Sequence, residues 1–202
     1  MTTSAIGPSK TPNQEMANAM KVVVEGLAGE SDRGTVVLAA AWLDDSLTSI
    51  LSAYMKPDTK KDDLLSPGGA IGDFGTKIRL ADRLRLAHPS LLKSLDIIRR
   101  LRNDFAHIAS DLSFETESVK ARVNNLFTEN EDLINTMGRS MVSGGLIAGV
   151  ENEDVTIHKM LSHVSTKRLF GYLCGLLNSA LALVKFYLKP AEQQFDRERL
   201  TV

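Results

Sequence analysis

The sequence predicts an all-α fold: a single-domain multi-helix bundle or array, with one small hairpin admitted near residues 141–157. Three observations lead there. Apolar residues recur mostly at three- and four-residue intervals, alternating Val/Ile/Thr runs are few, and aromatic residues, which strands favour, make up only 5% of the chain. At 202 residues with 43% hydrophobic side chains, the chain is long enough to bury one sizeable core, and no composition shift divides it. The expected organisation is a disordered tail over residues 1–12, a helical domain over 13–190 and a C-terminal tail over 191–202.

The opening stretch MTTSAIGPSKTPNQ lacks a basic start followed by an apolar run, so it reads as a tail rather than a signal peptide. Cys174 is the sole cysteine and cannot form an intramolecular disulfide, which fits a reduced, cytoplasmic setting. A first helix is expected from Asn13 to Ala28, ending at Gly29; Ser31 or Asp32 then caps a second helix that runs to Met55 and stops before Pro57. On this second helix Val37, Ala40, Ala41, Leu47, Ile50, Leu51 and Tyr54 define a buried stripe, with Asp44 and Asp45 near its middle.

KPDTKKDDLLSPGGAIGDFG is dense in Pro, Gly and Asp and should be a loop, followed by a third helix from Asp73 to Ala87. His88-Pro89 breaks it, and Pro89-Ser90 opens a fourth helix carrying Leu91, Leu92, Leu95, Ile98, Leu101 and Phe105. A fifth helix is expected from Glu115 to Phe127 and a sixth from Thr128 to Met141. In MVSGGLIAGVENEDV, Gly144-Gly145 stands between short apolar runs and suits a hairpin turn. The last helix, Ser165 to Leu188, contains LFGYLCGLLNSALALV, which approaches the length of a membrane span. Asn178, Ser179 and Lys185 interrupt that run, and Gly171 and Gly175, four apart, suit the close approach of another helix. A central core helix is the expectation, with no membrane contact.

A net charge of -1 argues against a surface that is wholly a nucleic-acid footprint. From Lys77 to Arg102, however, eight basic residues (Lys77, Arg79, Arg83, Arg85, Lys93, Arg99, Arg100 and Arg102) face two acidic ones (Asp82 and Asp96), a local excess of six. Such a strip suits nucleic-acid phosphates or the acidic face of a partner protein, although arginines also solvate helix faces or pair with acids elsewhere. Helices three and four form a helix-turn-helix-like pair, but the connecting turn lacks the usual Gly.

The stretch RLRNDFAHIAS, Arg100 to Ser110, ends an otherwise apolar helix with Arg102, Asn103, Asp104 and His107. Arg102 is in register with Leu95, Ile98 and Phe105, which puts a guanidinium on the buried stripe. It should therefore pair with a carboxylate: Asp44, Asp45, Glu30 or Asp32. Asn103 and His107 share a neighbouring face. Converging on one point, Arg102, Asn103 and His107 suit chemistry on a phosphodiester, with His107 moving a proton, Arg102 steadying the phosphate charge and Asn103 orienting the attacking hydroxyl. In the plainer reading Arg102 pairs with an acid, Asn103 and Asp104 stop the helix, and His107 bonds a carbonyl near its C-terminus.

In this pattern the segment resembles the HEPN domains, all-helical modules whose ribonucleases carry Arg, a polar residue and then His. That resemblance implies a metal-independent endoribonuclease acting on RNA, its site composed across a homodimer, with Arg102, Asn103 and His107 at the matching positions. A longer set of segments, ESDRGTVVLAAAWLDDSLTSILSAY, DDLL, FGTKIRLADRLRL and LDIIRRLRNDFAH, spans about residues 30 to 115 and resembles the mannitol operon repressor (MltR/MtlR) family. This second resemblance implies an intracellular bacterial helical protein that represses hexitol uptake and use without a recognised DNA-binding motif. Glu30, Asp32, Arg33, Asp44, Asp45, Arg102, Asn103, Asp104 and His107 then form an expected polar cluster where helices two and four cross.

SPGGAIGDFGTK fits neither GxxxxGK[ST] nor GxGxxG. The other histidines, His88, His158 and His163, lack ligand spacing, so no metal and no cofactor are expected. The function expected from the sequence is that of a cytoplasmic transcriptional regulator of the mannitol repressor type, acting by binding a protein or nucleic acid (DNA). It is not expected to be an enzyme. The alternative is the HEPN-like ribonuclease using Arg102 and His107 on RNA.

Overall fold

Helix starts follow local capping chemistry. The structure, a computed structural model, describes residues 11–56, 63–107, 112–136 and 164–191, His107 by its backbone alone. α1 (Pro12–Leu27) opens with a capping box: Thr11 Oγ1 accepts the Gln14 N–H, and the Gln14 side chain accepts the Thr11 N–H. It closes at Gly29, whose φ of +84 is the left-handed step that a side chain would resist. Ser31 caps α2 (Asp32–Tyr54), Asp73 caps α3 (Phe74–Arg83), and Ser165 caps α6 (Thr166–Tyr187). Between them lie α4 (Pro89–His107), opened by proline, and α5 (Glu117–Glu129), after which residues 131–136 are again helical. No strand occurs among the described residues, and the fold is the all-α one expected. The hairpin near 141–157 and nearly all of both tails lie outside the described residues.

Two expectations need correction. α3 stops at Arg83, four residues short of Ala87. Its end is a complete Schellman motif: the Arg85 N–H donates to the Asp82 carbonyl at 2.9 Å and the Leu86 N–H to the Ala81 carbonyl at 3.0 Å. That motif needs a left-handed residue, and Arg85 takes the role with φ +54. No glycine marks the site, so the stop was invisible in the sequence. Arg85→Gly should relieve the strain and raise stability by about 1 kcal/mol, a rise of roughly 2–4 °C in Tm. A thermal melt showing a lower Tm would contradict this geometry.

The second correction is to the α2 stripe. Val36, Ala39, Ala40, Leu43, Leu47, Ile50 and Leu51 are buried, whereas Val37 is 39% exposed and Ala41 is exposed as well. Leu43 and Leu47 set the register, and residues one step past Val36 and Ala40 turn about 100° away from it.

The core does lie among α2, α4 and α6, as expected, but α1 belongs to it too and forms the most extensive helix pair, with α6. Gly175 makes this possible: a Cβ there would sit 3.1 Å from Val24 Cγ2 and 3.4 Å from the Met20 carbonyl oxygen. Two of the three polar residues that interrupt α6 serve the same contact, and Lys185 instead donates to Ser49 of α2. Asn178 Nδ2 donates to the Ala19 carbonyl at 2.9 Å and Ser179 Oγ to the Met16 carbonyl at 2.8 Å. α2 and α6 are each long and apolar enough to cross a membrane by length and composition. Over half of the apolar window of α6 is buried against its neighbours and its polar groups are bonded to them, which is what a core helix requires.

Candidate functional site

RLRNDFAH occupies the last two turns of α4, at the end of the bundle where α2 and α6 begin. An aromatic row holds this end together: Phe105 of α4 lies 6.1 Å from Phe114, and Phe114 lies 5.3 Å from Phe170 of α6. The backbone of Phe114 is pinned by Asp32, whose carboxylate accepts its N–H at 3.0 Å. Asp32 stands in the first turn of α2, where the helix dipole favours a carboxylate, and pairs with Lys167 of α6 at 3.3 Å. Lys167 also donates to the Glu30 carbonyl, so one lysine ties α6 to the start of α2.

Within the motif itself, Leu101 and Phe105 are buried in the core and Asp104 pairs with Arg122 of α5. Arg102 and Asn103 are half-buried, and neither side chain makes a hydrogen bond or ion pair with a described residue. The expected pairing of Arg102 with Asp44, Asp45, Glu30 or Asp32 therefore does not form. The acids are otherwise placed. Asp44 is bonded to Lys77 of α3 at 2.9 Å, Asp32 to Lys167 and Phe114, and Asp45 is exposed. A long side chain such as Arg102 can keep its stem on an apolar face while its head reaches water.

The polar cluster expected at the crossing of α2 and α4 is thus divided. Asp32 and Asp44 are separated by roughly 18 Å along α2 at 1.5 Å per residue. Glu30, Asp32 and the exposed Arg33 belong to the end that carries RLRNDFAH, and Asp44 and Asp45 to the middle of the bundle. The His107 side chain lies outside the described residues, so the convergence of Arg102, Asn103 and His107 on one point stands as a proposal. Sequence reasoning missed Lys167, Arg122 and Phe114, which organise this end; no local signal marks them. Because Arg102 has no partner among the described residues, Arg102→Ala should change the unfolding free energy by less than about 1 kcal/mol. A urea melt showing a loss of about 3 kcal/mol would mean that its charge is a buried partner after all.

The basic strip is also diluted. Lys77 is not on the surface: it is 5% exposed, held between α2 and α3 by Asp44. Lys93 pairs with Glu129 at 2.7 Å. Arg99 and Arg100 share Asp96; burial pushes the Asp96 carboxyl up, but the hydrogen bonds and charges of the two arginines outweigh this and hold it below the usual range. Arg79 donates to Thr76 Oγ1 at 3.0 Å, which leaves Arg83 and Arg85 exposed without an acidic partner among the described residues. Cys174 is fully buried in α6, and burial pushes its thiol far up, so it is not a nucleophile. Among the described residues no group of His, Cys, Asp and Glu is placed to hold a metal ion.

No family model and no curated relative matches this chain. A solved structure shares its fold: a chain of the "X-ray structure of the MtlR-HPr complex from Escherichia coli" aligns at 15% identity and a TM-score of 0.53, covering 83% of this chain and 99% of that one. The likeness is one of fold. It agrees with the mannitol repressor resemblance of residues 30 to 115 and lends none to the HEPN resemblance.

Proposed function

We propose that this protein is a cytoplasmic regulatory protein of the mannitol repressor type that acts by binding a protein partner, HPr or a protein like it. The observation that carries the reading is the fold match, which spans nearly the whole of a chain from a protein–protein complex. The segments that suggested the family in the sequence build α2, α3 and α4. Asp32 and Asp104, at the end that carries RLRNDFAH, are each committed to an ion pair between helices, which suits a scaffold that presents a binding surface. Repression would then follow from holding or releasing the partner, with Arg102 and Asn103 offered at the end of α4 as half-exposed contacts.

Calorimetric titration of the purified protein with HPr tests this directly. A saturable one-to-one complex with a Kd in the micromolar range or tighter is expected, about 8 kcal/mol of binding free energy. Absence of heat, together with separate elution of the two proteins on gel filtration, would sink the partner assignment. Incubation with end-labelled RNA in EDTA supplies the opposing outcome: cleavage by the wild type and none by His107→Ala would replace the binding reading with a metal-independent nuclease.

A further inference from the structure

At the other end of α2, about 33 Å along the helix axis from Asp32, a cleft of about 460 Å³ opens between the C-terminal ends of α2 and α6 and the turn that closes α3. Tyr54 and Tyr187 line it together with Leu84 and Leu86, and Arg85 and Lys189 bring positive charge. No acidic residue lines it among the described residues. Three features separate this place from ordinary surface. Tyr187 is 65% exposed and its neighbour Phe186 42%, the two rings packed edge to face at 5.2 Å, so an aromatic surface continues beyond the cleft itself. Arg85 stands at a left-handed turn position that glycine would fill without strain. Its side chain has no acidic partner among the described residues.

We propose that this cleft docks an acidic segment of a partner protein, with an aromatic or aliphatic residue seated beside Tyr54 and Tyr187 and a flanking carboxylate bonded to Arg85. The inference rests on reading the protein as a binder, and not on the partner being HPr. Charge complementarity selects the acidic segment: Arg85 favours an anion, and no described residue of the lining repels one. The open shape and the adjoining Phe186–Tyr187 surface favour a peptide over a small molecule, which would leave the rings outside the cleft uncovered. Tyrosine and arginine are also the residue types that most often anchor such contacts. The strain at Arg85 has a reason in this arrangement, since a glycine would make the turn but could not hold a carboxylate.

The test uses the full-length 15N-labelled protein and two synthetic peptides of about a dozen residues, one with a central Phe-Leu pair flanked by Glu and Asp, the other with every acid replaced by Lys. The acidic peptide should perturb the amides of Tyr54, Leu84 to Leu86 and Val184 to Lys189 saturably, and the lysine peptide should bind at least about tenfold more weakly. Arg85→Gly separates a recognition role from a structural one: it should melt above the wild type and yet bind the acidic peptide about fivefold more weakly. Tyr187→Ser should melt as the wild type and lose a similar factor. Equal binding of both peptides, perturbations elsewhere only, or wild-type affinity in Arg85→Gly would overturn the proposal. Should HPr still titrate normally in that case, the binding function stands and the cleft assignment alone has failed.

Discussion

Gly175→Leu is expected to be among the most destabilising substitutions in the chain, at about 3–5 kcal/mol. The Cβ alone would lie 3.1–3.4 Å from Val24, Met20 and the Met20 carbonyl, so the rest of a leucine has no room between α1 and α6. Forcing the helices apart also lengthens the bonds from Asn178 to Ala19 and from Ser179 to Met16, leaving the Asn178 amide N–H without its acceptor. Gly175→Ala is the internal control. Its single methyl asks neighbours to yield a few tenths of an ångström, and the gain of about 1 kcal/mol in helix propensity offsets most of that. Thermal melts should place the leucine variant roughly 6–20 °C below wild type and the alanine variant near it. A leucine variant that melts with the wild type would mean that α1 does not lie against α6 in solution.

Phe105→Ala should lose about 3–5 kcal/mol. Phe105 is 1% exposed and begins the aromatic row that passes through Phe114 to Phe170, so its removal leaves a cavity where three separate segments meet. Two residues earlier, Asn103 is half-buried and bonded to no described side chain, and Asn103→Ala should stay within about 1 kcal/mol of wild type. Denaturant midpoints at constant m-value would read both. The contrast divides RLRNDFAH into a scaffold, made of Leu101, Asp104 and Phe105, and a surface, made of Arg102 and Asn103. Variants of the surface pair can then be tested for partner capture as folded proteins. Should Asn103→Ala prove as damaging as Phe105→Ala, the motif is structural throughout.

RLRNDFAH thus has two parts among the described residues. Its apolar positions were legible because helical periodicity alone places Leu101 and Phe105 on the stripe begun by Leu91 and Leu95. The role of its charges was not. Arg102 lies on the same register and was expected to carry a buried ion pair, yet a long side chain can leave the direction of its own Cβ, and periodicity does not record that. Lys77 shows the reverse error: counted as surface charge, it is buried, because its position on α3 faces Asp44 across the interface.

The spacing of Gly171 and Gly175 permits a close helix, and the partner is α1, which the sequence does not single out as core. That difference marks the boundary of what the chain states about itself. Capping by Thr11, Ser31, Asp73 and Ser165, the stop at Gly29, the opening at Pro89 and the apolar stripes all arise from interactions within about four residues, so local sequence suffices for the all-α class and for most helix ends, that of α3 excepted. The pairs that organise the molecule reach further: Lys77 to Asp44 across 33 residues and the Phe114 N–H to Asp32 across 82. Charge and hydrogen-bonding capacity are equally satisfied by many partners at such separations. Only the crossing of the helices selects one, and so the tertiary structure alone decided which acids meet which cations, that Arg102 meets none of the four expected for it, and where the Arg85 cleft opens.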